Sequence, residues 1–320
     1  MFSPVSKILL IGAGQLGSRY LQGLATYKIP IEIFIVDPSQ KSLRIAQNRW
    51  EEVVAENSQH KVHYLQVLKG LIDEFDLCFT TTTADVRLSV VDQVLSKSRV
   101  RFWILEKVLA QSVEQVDLLE DLLTRAEGAW VNTARRSIYW HQLIQKHLPK
   151  GQAWSVSGNG GSWGMACNSI HFIDLVAWWT SEKLVSVDTS GLKRWFSSKR
   201  DGFWEVGGKL NLFFSGNTKL ELSVDESNTP FSLILQNEQD SWRLEESVGS
   251  FTNSKGFSLP GKVELQRELT GPLVDQILKT GKCSLPSLSE SAEMHRLLID
   301  ALLDHWNTSQ HLKDFVLPIT

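Results

Sequence analysis

The first third of the chain alternates two patterns of apolar residues, one typical of strands and the other typical of helices. Short runs rich in β-branched and aromatic residues predict strands at 7–11, 31–36, 77–81 and 102–105. Apolar residues that recur every three or four positions predict helices at about 15–26, 84–96 and 112–126. Because strands that alternate with helices run parallel and are joined by crossovers, this pattern predicts a doubly wound parallel sheet of the Rossmann type.

Two of these helices show clearly which face is expected to cover the sheet. In the helix predicted at 84–96 the apolar face is formed by four valines, Val86, Val90, Val91 and Val94. In the helix predicted at 112–126 it is formed by Val113, Val116, Leu119 and Leu123. Both faces are therefore expected to be buried.

The pattern changes after Asn132. Helices are predicted at 138–147, 168–180 and 289–306, and strands at 153–158, 209–214, 219–224, 231–236 and 241–246. Strands that follow one another at such short spacing favour an antiparallel sheet. A chain of 320 residues also exceeds the usual size of a single hydrophobic core. We therefore predict an N-terminal domain at 1–132 and a C-terminal α+β domain with a mainly antiparallel sheet at 133–320.

Composition and charge narrow the classes of partner. The formal net charge is −3, so the chain has no basic surplus for binding nucleic acid. The three cysteines, Cys78, Cys167 and Cys283, are far apart, which argues against a disulfide framework and a zinc site. No apolar stretch approaches the roughly 18 residues of a membrane span. The expected setting is cytoplasmic, with no metal, no membrane and no nucleic acid.

A glycine-rich loop follows the first predicted strand and opens the first predicted helix. It reads Gly12-Ala13-Gly14-Gln15-Leu16-Gly17 and fits the G-x-G-x-x-G pattern. The first glycine permits a tight turn, the second lets the backbone approach a pyrophosphate, and the third lets helix and strand pack closely. We expect this loop, including Gln15 and Leu16, to bind a dinucleotide at the helix N-terminus.

The choice of dinucleotide depends on the end of the second strand. Asp37 stands 20 residues after Gly17, where a carboxylate accepts hydrogen bonds from the ribose hydroxyls of NAD and repels the 2′-phosphate of NADP. NAD is therefore favoured, although Ser39 and Lys41 lie nearby and could accommodate the 2′-phosphate of NADP. Thr81 and Thr82, which end the strand predicted at 77–81, are further candidate cofactor contacts.

Two segments contain candidate catalytic groups. Glu106 and Lys107 end the strand predicted at 102–105, and the carboxyl ends of parallel strands are where ligands bind in open sheets. On the helix predicted at 168–180, Asn168, His171 and Asp174 are three residues apart and share one face. A histidine with a carboxylate one turn later is a candidate proton carrier, and a structural histidine capped by Asp174 is the alternative.

With these elements in place, the chain resembles the glucose–fructose oxidoreductase / inositol dehydrogenase / MocA family. The matching features are the glycine loop, Glu106-Lys107 where the family has Glu-Lys-Pro, and the helix with His171 and Asp174. Further segments, 84–87, 132–136, 167–168 and 317–320, resemble a branch associated with surface-polysaccharide and sialic-acid-like sugars. The resemblance covers most of the chain.

The resemblance implies that Lys107 lies beside the nicotinamide and the substrate hydroxyl, that Glu106 contributes to the cofactor site, and that His171 is the acid/base. It also implies a homodimer or homotetramer assembled through the open face of the C-terminal sheet. Two residues depart from the family pattern. Val108 replaces a proline, and Cys167 stands where inositol dehydrogenase-like members carry an aspartate.

Other residues in the second domain are candidate substrate contacts. Arg135 and Arg136 could hold a carboxylate or phosphate, or could form an interdomain salt bridge. Trp163 lies in a glycine-rich loop and could stack on a sugar ring. Asn168 is a further candidate substrate contact. His295 and His305 are expected to be surface residues.

These expectations converge on an NAD-dependent dehydrogenase or reductase that acts on a CH–OH group of a sugar, a sugar nucleotide or a related small molecule. Two alternatives use the same fold. One is a non-catalytic NAD-binding sensor. The departures at Val108 and Cys167 support it, and the presence of Lys107 and His171 argues against it. The other is an NAD-dependent sugar hydrolase or epimerase that oxidises its substrate only transiently.

Overall fold

The computed structural model of the protein describes residues 5–225 and 229–320. In chain order its strands are β1 (Ser6–Ile11), β2 (Ile31–Val36), β3 (Lys61–Leu65), β4 (Glu74–Thr80), β5 (Arg99–Glu106), β6 (Gly128–Asn132), β7 (Ser155–Gly160), β8 (Leu184–Asp188), β9 (Leu192–Ser197), β10 (Trp204–Phe214), β11 (Lys219–Val224), β12 (Ser232–Gln236), β13 (Ser241–Glu245), β14 (Ser250–Asn253) and β15 (Ser258–Pro260). Its α-helices are α1 (Gln15–Ala25), α2 (Gln40–Glu51), α3 (Ala84–Leu95), α4 (Val113–Leu123), α5 (Tyr139–His147), α6 (Met165–Thr180), α7 (Gln266–Thr280) and α8 (Leu288–Gln310), with 3₁₀ turns at Ala134–Ser137 and Glu246–Val248.

The chain divides into two compact units. The first comprises Met1–Leu109, Asp117–Asn132 and Glu264–Leu288, and the second comprises Ala110–Val116, Thr133–Val263 and Ser289–Thr320. The chain thus enters the second unit briefly at Ala110–Val116 and again directly after Asn132. Our prediction of one uninterrupted N-terminal domain did not include the return of 264–288 to the first unit. The reason is that α7 packs against α1, where a Cβ on Gly23 would lie 2.6 Å from the Cβ of Thr270.

The first unit is built on parallel strands in the order β3-β2-β1-β4-β5-β6. The central strands are buried on both faces, as parallel strands between two helical layers must be; Ile8, Leu9 and Leu10 of β1 have no exposed surface. The order reverses between β1 and β4, so the carboxyl ends of these strands border the crevice in which such sheets bind ligands. This arrangement confirms the predicted Rossmann-type sheet.

The buried face of α3 differs from the prediction. Val91 and Val94 are buried as expected, but Val86 is 42% exposed, and Arg87 takes its place on the buried side with 1% exposure. Ala84, Arg87, Val91 and Val94 follow the i, i+3, i+4 spacing of one helical face. A guanidinium therefore lies in the interior of the first unit.

The second unit contains a mixed sheet in the order β15-β14-β13-β12-β7-β11-β10-β8, with β9 paired to β10. Its pairs are antiparallel except for β7 with β11, which agrees with the predicted mainly antiparallel sheet. Helix α6 packs on β10 and β11. On the central strand β7 the opposite face shows the exposed polar residues Ser155, Ser157 and Asn159.

One expectation for the second unit is wrong. His295 is not a surface residue: it has no exposed surface, and its Nδ1 lies 2.8 Å from the Ser291 carbonyl oxygen. The His305 ring is partly buried, and its Nδ1 accepts a hydrogen bond of 3.0 Å from Trp195. Both histidines lie on faces of α8 that pack inward.

Among the described residues, none of the helices combines the length and apolarity needed to cross a membrane.

Candidate functional site

The glycine loop between β1 and α1 has the geometry that the sequence pattern requires. Gly12 has φ +96°, a conformation that side chains disfavour. A Cβ on Gly17 would lie 1.9 Å from the Gly12 carbonyl oxygen, so only glycine fits there. A Cβ on Gly14, in contrast, would meet nothing within 4 Å. The backbone at Gly14 therefore faces open space, where another molecule can approach it closely.

The first turn of α1 presents backbone N–H groups beside this open space. No side chain caps the helix at Gly14 within the described ranges, so the first-turn N–H groups are not capped by this residue. Arg49 of α2 holds Gln15 by a hydrogen bond of 2.7 Å to its side-chain oxygen, and Leu16 is 38% exposed. An uncapped helix N-terminus favours an anion because of its orphan donors and its dipole.

Asp37 ties the end of β2 to the loop. One carboxylate oxygen accepts the backbone N–H of Ala13 at 2.7 Å, and the other accepts that of Ser39 at 2.7 Å. Thr81, after β4, closes the other side, because its hydroxyl donates to the Gly12 carbonyl oxygen at 2.7 Å. Three predicted cofactor residues, Gly12, Asp37 and Thr81, are thus brought together around one turn of backbone.

Arg87 connects the ends of β4 and β5. Its guanidinium donates to the carbonyl oxygen of Thr82 at 2.5 Å, to that of Leu109 at 2.9 Å and to that of Val108. The Thr82 hydroxyl is buried and has no hydrogen-bond partner in the described part of the chain. Burial lowers the pKa of Arg87 to about 10, so the side chain stays protonated at neutral pH.

Glu106, the last residue of β5, lies inside the first unit with 5% exposure. Its Oε1 accepts hydrogen bonds from the Tyr20 hydroxyl at 2.6 Å and from the Asn132 amide at 2.7 Å. Burial raises the pKa of this carboxyl. The hydrogen bonds from Tyr20 and Asn132 and the positive charges of Arg87 and Lys107 lower it, but by less than burial raises it. A role toward a cofactor stays a prediction; the contacts shown are with the core of the unit.

Lys107 follows Glu106 at the carboxyl end of β5 and is half-buried. The Lys107–Val108 peptide bond is cis, and Arg87 binds the carbonyl oxygens of Val108 and Leu109. The hydrogen bonds from Arg87 therefore fix the backbone directly after Lys107. Sequence reasoning named Lys107 but gave Arg87 no role in holding it.

In the second unit, Asp174 of α6 is paired with Arg136. The guanidinium lies 3.0 Å from one carboxylate oxygen and 2.6 Å from the other, and the Thr133 hydroxyl donates at 2.8 Å. Asp174 has no exposed surface, and burial raises the pKa of its carboxyl to about 6 against the opposing effect of Arg136. His171, one turn earlier on α6, is half-buried. Both residues remain candidates for the roles assigned to them above.

The raised pKa of Asp174 leads to a pH-dependent stability. The pKa is about 6 in the folded protein against 3.8 for an ordinary aspartate, so the folded state holds this proton more tightly. Stability from this group is complete below about pH 4 and is lost as the pH rises through 6, by about 3 kcal/mol. Asp174→Asn cannot titrate. The excess free energy of unfolding of the wild type over this variant should therefore fall by that amount across the window, measured by urea unfolding; a difference that does not change with pH contradicts this assignment.

Arg135 is engaged by a second carboxylate. Its guanidinium makes two hydrogen bonds of 2.9 Å to Glu246 and lies 4.2 Å from the centroid of the Phe172 ring. His141, which is fully buried, lies 3.1 Å from the same carboxylate. Arg135 and Arg136 therefore form salt bridges within the second unit, whereas the alternative predicted from the sequence was an interdomain salt bridge. Substrate contacts by either arginine stay a prediction.

Trp163 and Asn168 lie together at the start of α6. The Asn168 amide donates to the Trp163 carbonyl oxygen at 2.8 Å, and the Trp163 indole N–H donates to the Ser223 carbonyl oxygen at 2.9 Å. Glu205 of β10 lies beside them with 7% exposure. Its carboxylate accepts the Ala166 backbone N–H at 2.8 Å and lies 2.7 Å from the Cys167 sulfur. Glu205 was not foreseen, because a carboxylate within an alternating strand resembles any solvent-facing residue.

Comparison with solved structures gives the fold along nearly the whole chain. An oxidoreductase from Agrobacterium radiobacter, solved with NAD⁺, L-tartaric acid and magnesium, matches with a TM-score of 0.72 at 15% identity and covers 95% of this chain and 97% of that one. The chain shares its fold.

Two further solved structures give the same result. A UDP-N-acetylglucosamine 3-dehydrogenase from Acidithiobacillus ferrooxidans matches with a TM-score of 0.66 at 13% identity, covering 94% of this chain and 97% of that one. A myo-inositol dehydrogenase from Lactobacillus casei, in complex with NAD(H) and myo-inositol, matches with a TM-score of 0.66 at 17% identity, covering 99% and 98%. No protein-family model and no curated protein matches the chain.

Proposed function

We propose that the protein is an NAD-dependent oxidoreductase of the glucose–fructose oxidoreductase / inositol dehydrogenase / MocA type, which acts on a hydroxyl-bearing carbon of a sugar. The observation that carries the proposal is the dinucleotide cradle of the first unit. In it, the open backbone at Gly14, the start of α1 and the Asp37 carboxylate surround one loop. The shared fold supports the proposal, since the solved structures just described include proteins named as dehydrogenases.

The residues present fit a dinucleotide. The pyrophosphate would be held by the N–H groups at the start of α1, next to Gly14, and the ribose by Asp37. The buried Thr82 hydroxyl, which has no partner in the described part of the chain, is a polar group that such a ligand would satisfy. Glu106, Thr81 and Gln15 complete the set of residues proposed to form the cofactor site.

The chemistry divides between the cofactor and two side chains. NAD, when bound, supplies the nicotinamide ring that takes up the hydride from the carbinol carbon. We assign to His171 the removal of the hydroxyl proton, and to the Lys107 ammonium the stabilisation of negative charge that develops on that oxygen. The pair of Asp174 with Arg136 would fix α6 one turn after His171.

The replacement of an aspartate by Cys167 does not leave this region without a carboxylate. Glu205 reaches the same place from β10, with one oxygen 2.7 Å from the Cys167 sulfur. We propose that Glu205 supplies the negative charge that the cysteine lacks. This observation favours the enzyme over the non-catalytic sensor.

The finer parts of the proposal concern the setting of the reaction. We propose a sugar or sugar-nucleotide substrate, a role in surface-glycan sugar metabolism, a cytoplasmic location and a homodimer or homotetramer formed through the open sheet face. These rest on the resemblance of 84–87, 132–136, 167–168 and 317–320 to one branch of the family.

The proposed function is tested by turnover. The full chain, incubated with NAD and a panel of sugars, nucleotide sugars and inositols, is expected to form NADH with at least one of them. Conversion of a substrate with no net formation of NADH, accompanied by tritium uptake from water, would identify the hydrolase or epimerase instead. Tight binding of NAD with no reaction of any kind across the panel favours the sensor.

The cofactor preference gives a separate prediction. Because the Asp37 carboxylate lies beside the loop, NADH is expected to bind at least about tenfold more tightly than NADPH, equivalent to ~1.4 kcal/mol. Asp37→Asn removes the charge and should narrow this ratio, whereas Asp92→Asn, an exposed residue of α3, should leave it unchanged. Titration by quenching of tryptophan fluorescence measures both affinities. Equal affinities in the wild type, or tighter binding of NADPH, would refute the assignment to NAD.

A further inference from the structure

The second unit contains a cavity of about 660 Å³ at the start of α6. Its lining includes the first turn of α6 with the loop before it, and the turn that joins β9 to β10. The volume lies within the range of small-molecule pockets, roughly 300–1,000 Å³. It is thus large enough for a sugar ring together with a substituent. The cavity belongs entirely to one unit of the fold.

Aromatic side chains form much of its lining. Trp163, Phe196, Phe203 and Trp204 all border the cavity. Trp163 is fixed, because its indole N–H binds the Ser223 carbonyl oxygen and its ring meets Phe172 edge-on at 5.5 Å. Rigid aromatic faces beside polar groups suit a ligand with both apolar and hydroxyl-bearing surfaces, such as a sugar.

The charged side chains that border the cavity differ in whether they are already engaged by other groups of the protein. Lys199 and Arg200 line it from the β9–β10 turn, and neither has an ion-pair partner among the described residues. Glu205 lines it too, but its carboxylate already caps the Ala166 N–H and contacts the Cys167 sulfur. Thr320 also lies on this wall and already takes part in contacts within the chain. The two cations are therefore the charges left to meet a ligand.

The turn that presents these cations is well defined. The Ser198 backbone N–H donates to the Phe203 carbonyl oxygen at 2.9 Å, and the Phe203 N–H donates to the Arg200 carbonyl oxygen at 3.2 Å. The Ser198 hydroxyl accepts the Arg200 N–H at 3.0 Å. Because the backbone is fixed by three hydrogen bonds, less conformational freedom is lost when Lys199 and Arg200 bind an anion.

We propose that this cavity binds a negatively charged substituent of the sugar substrate, with Lys199 and Arg200 contacting the anion and the aromatic wall contacting the ring. This inference rests on the proposed function in one respect: it takes the molecule that occupies the cavity to be the substrate of the dehydrogenase. The shared chemistry is an anionic oxygen group on a sugar, whether a carboxylate, a phosphate monoester or a nucleoside diphosphate. Arginine and lysine are the side chains that proteins use for such groups.

Isothermal titration calorimetry on the full chain tests the proposal with glucuronate, glucose 1-phosphate, UDP-glucose and neutral glucose. At least one of the three anionic sugars is expected to bind about tenfold or more tightly than glucose, and which one does so identifies the anionic group. The double variant Lys199→Gln/Arg200→Gln should weaken that ligand by about tenfold, the scale of two partly exposed charge contacts. Its binding should also weaken with added salt.

A matched control is available on the neighbouring strand. Lys193 and Arg194 are exposed on β9 and do not line the cavity, so Lys193→Gln/Arg194→Gln makes the same change in net charge elsewhere. This control should bind the anionic sugar as the wild type does. Equal weakening by both double variants, or no preference for any anionic sugar over glucose, overturns the inference.

The outcome is separable from that of the proposed function. NADH formation with a sugar, together with no preference for any anionic sugar over glucose in calorimetry, leaves the dehydrogenase standing and removes the anion subsite. Binding of an anionic sugar that depends on Lys199 and Arg200, without NADH formation, supports the subsite and counts against the dehydrogenase. Calorimetry needs no catalysis, so the two results do not depend on each other.

Discussion

Replacing His171 or Lys107 with alanine is expected to lower kcat by about 10²- to 10⁴-fold. His171 would remove the hydroxyl proton, and general bases contribute on this scale. Lys107 would stabilise the developing alkoxide, and the loss of such a group lowers turnover by a comparable factor. The measurement is NADH formation at saturating NAD with the substrate found in the panel. Both residues are half-buried, so the substitutions leave no large cavity.

Binding and chemistry are separated by measuring the affinity for NADH in the same variants. It should change little for His171→Ala, and modestly for Lys107→Ala, whose side-chain stem would touch the nicotinamide. Two exposed residues give matched controls: Lys97→Ala in the first unit and His147→Ala in the second should keep wild-type turnover. Near wild-type kcat in His171→Ala or Lys107→Ala would show that the assigned mechanism is wrong.

The glycines of the proposed cofactor cradle could be named from the sequence because they are close together in it. Gly12, Gly14 and Gly17 lie within one turn, and each is required by a local property of the backbone. The strand Ile31–Val36 was predicted with both ends correct, since six residues, five of them apolar, are bounded by Pro30 and Asp37. Signals of this kind depend on neighbours along the chain, so they can be read without the fold.

Two of the elements that the sequence analysis missed, α7 and β3, have weak local signals. Helix α7 contains Gly271 and Pro272, residues that disfavour a helix interior, and it forms because it packs against α1. Strand β3 lies at the edge of its sheet and has no fully buried residue, so its apolar pattern is faint. In both cases tertiary packing determines a structure that propensity does not favour.

The interactions around the candidate catalytic residues were hidden for a different reason. Arg135 binds Glu246, 111 residues away, and Asp174 binds Thr133, 41 residues away. No spacing along the chain indicates such pairs. Arg87 is an intermediate case: its position four residues before Val91 and seven before Val94 marks it as buried, but a guanidinium at that position is read as a solvent-facing residue.

Arg87→Met is expected to lower the free energy of unfolding by about 3–5 kcal/mol. The guanidinium is 1% exposed and binds three backbone carbonyl oxygens, at Thr82, Val108 and Leu109. Methionine fills a similar volume but leaves these buried acceptors unpaired and removes one of the two cations, Arg87 and Lys107, that act on the buried Glu106. The loss of several buried charge-assisted interactions has effects of this size. Urea unfolding followed by circular dichroism measures the change. Arg99→Met, an exposed arginine 3.7 Å from Glu74, serves as the control and should alter stability by less than about 1 kcal/mol.

The same substitution also tests whether Arg87 positions Lys107. Since Arg87 binds the carbonyl oxygens of the two residues that follow Lys107, its loss should release that backbone and lower kcat at saturating NAD. Arg87→Lys keeps the charge but has no planar fork to reach three acceptors, so it should recover stability more fully than turnover. A purely structural role predicts fewer folded molecules with unchanged kcat for each. If both variants keep wild-type kcat per folded molecule, Arg87 holds the fold together without positioning Lys107.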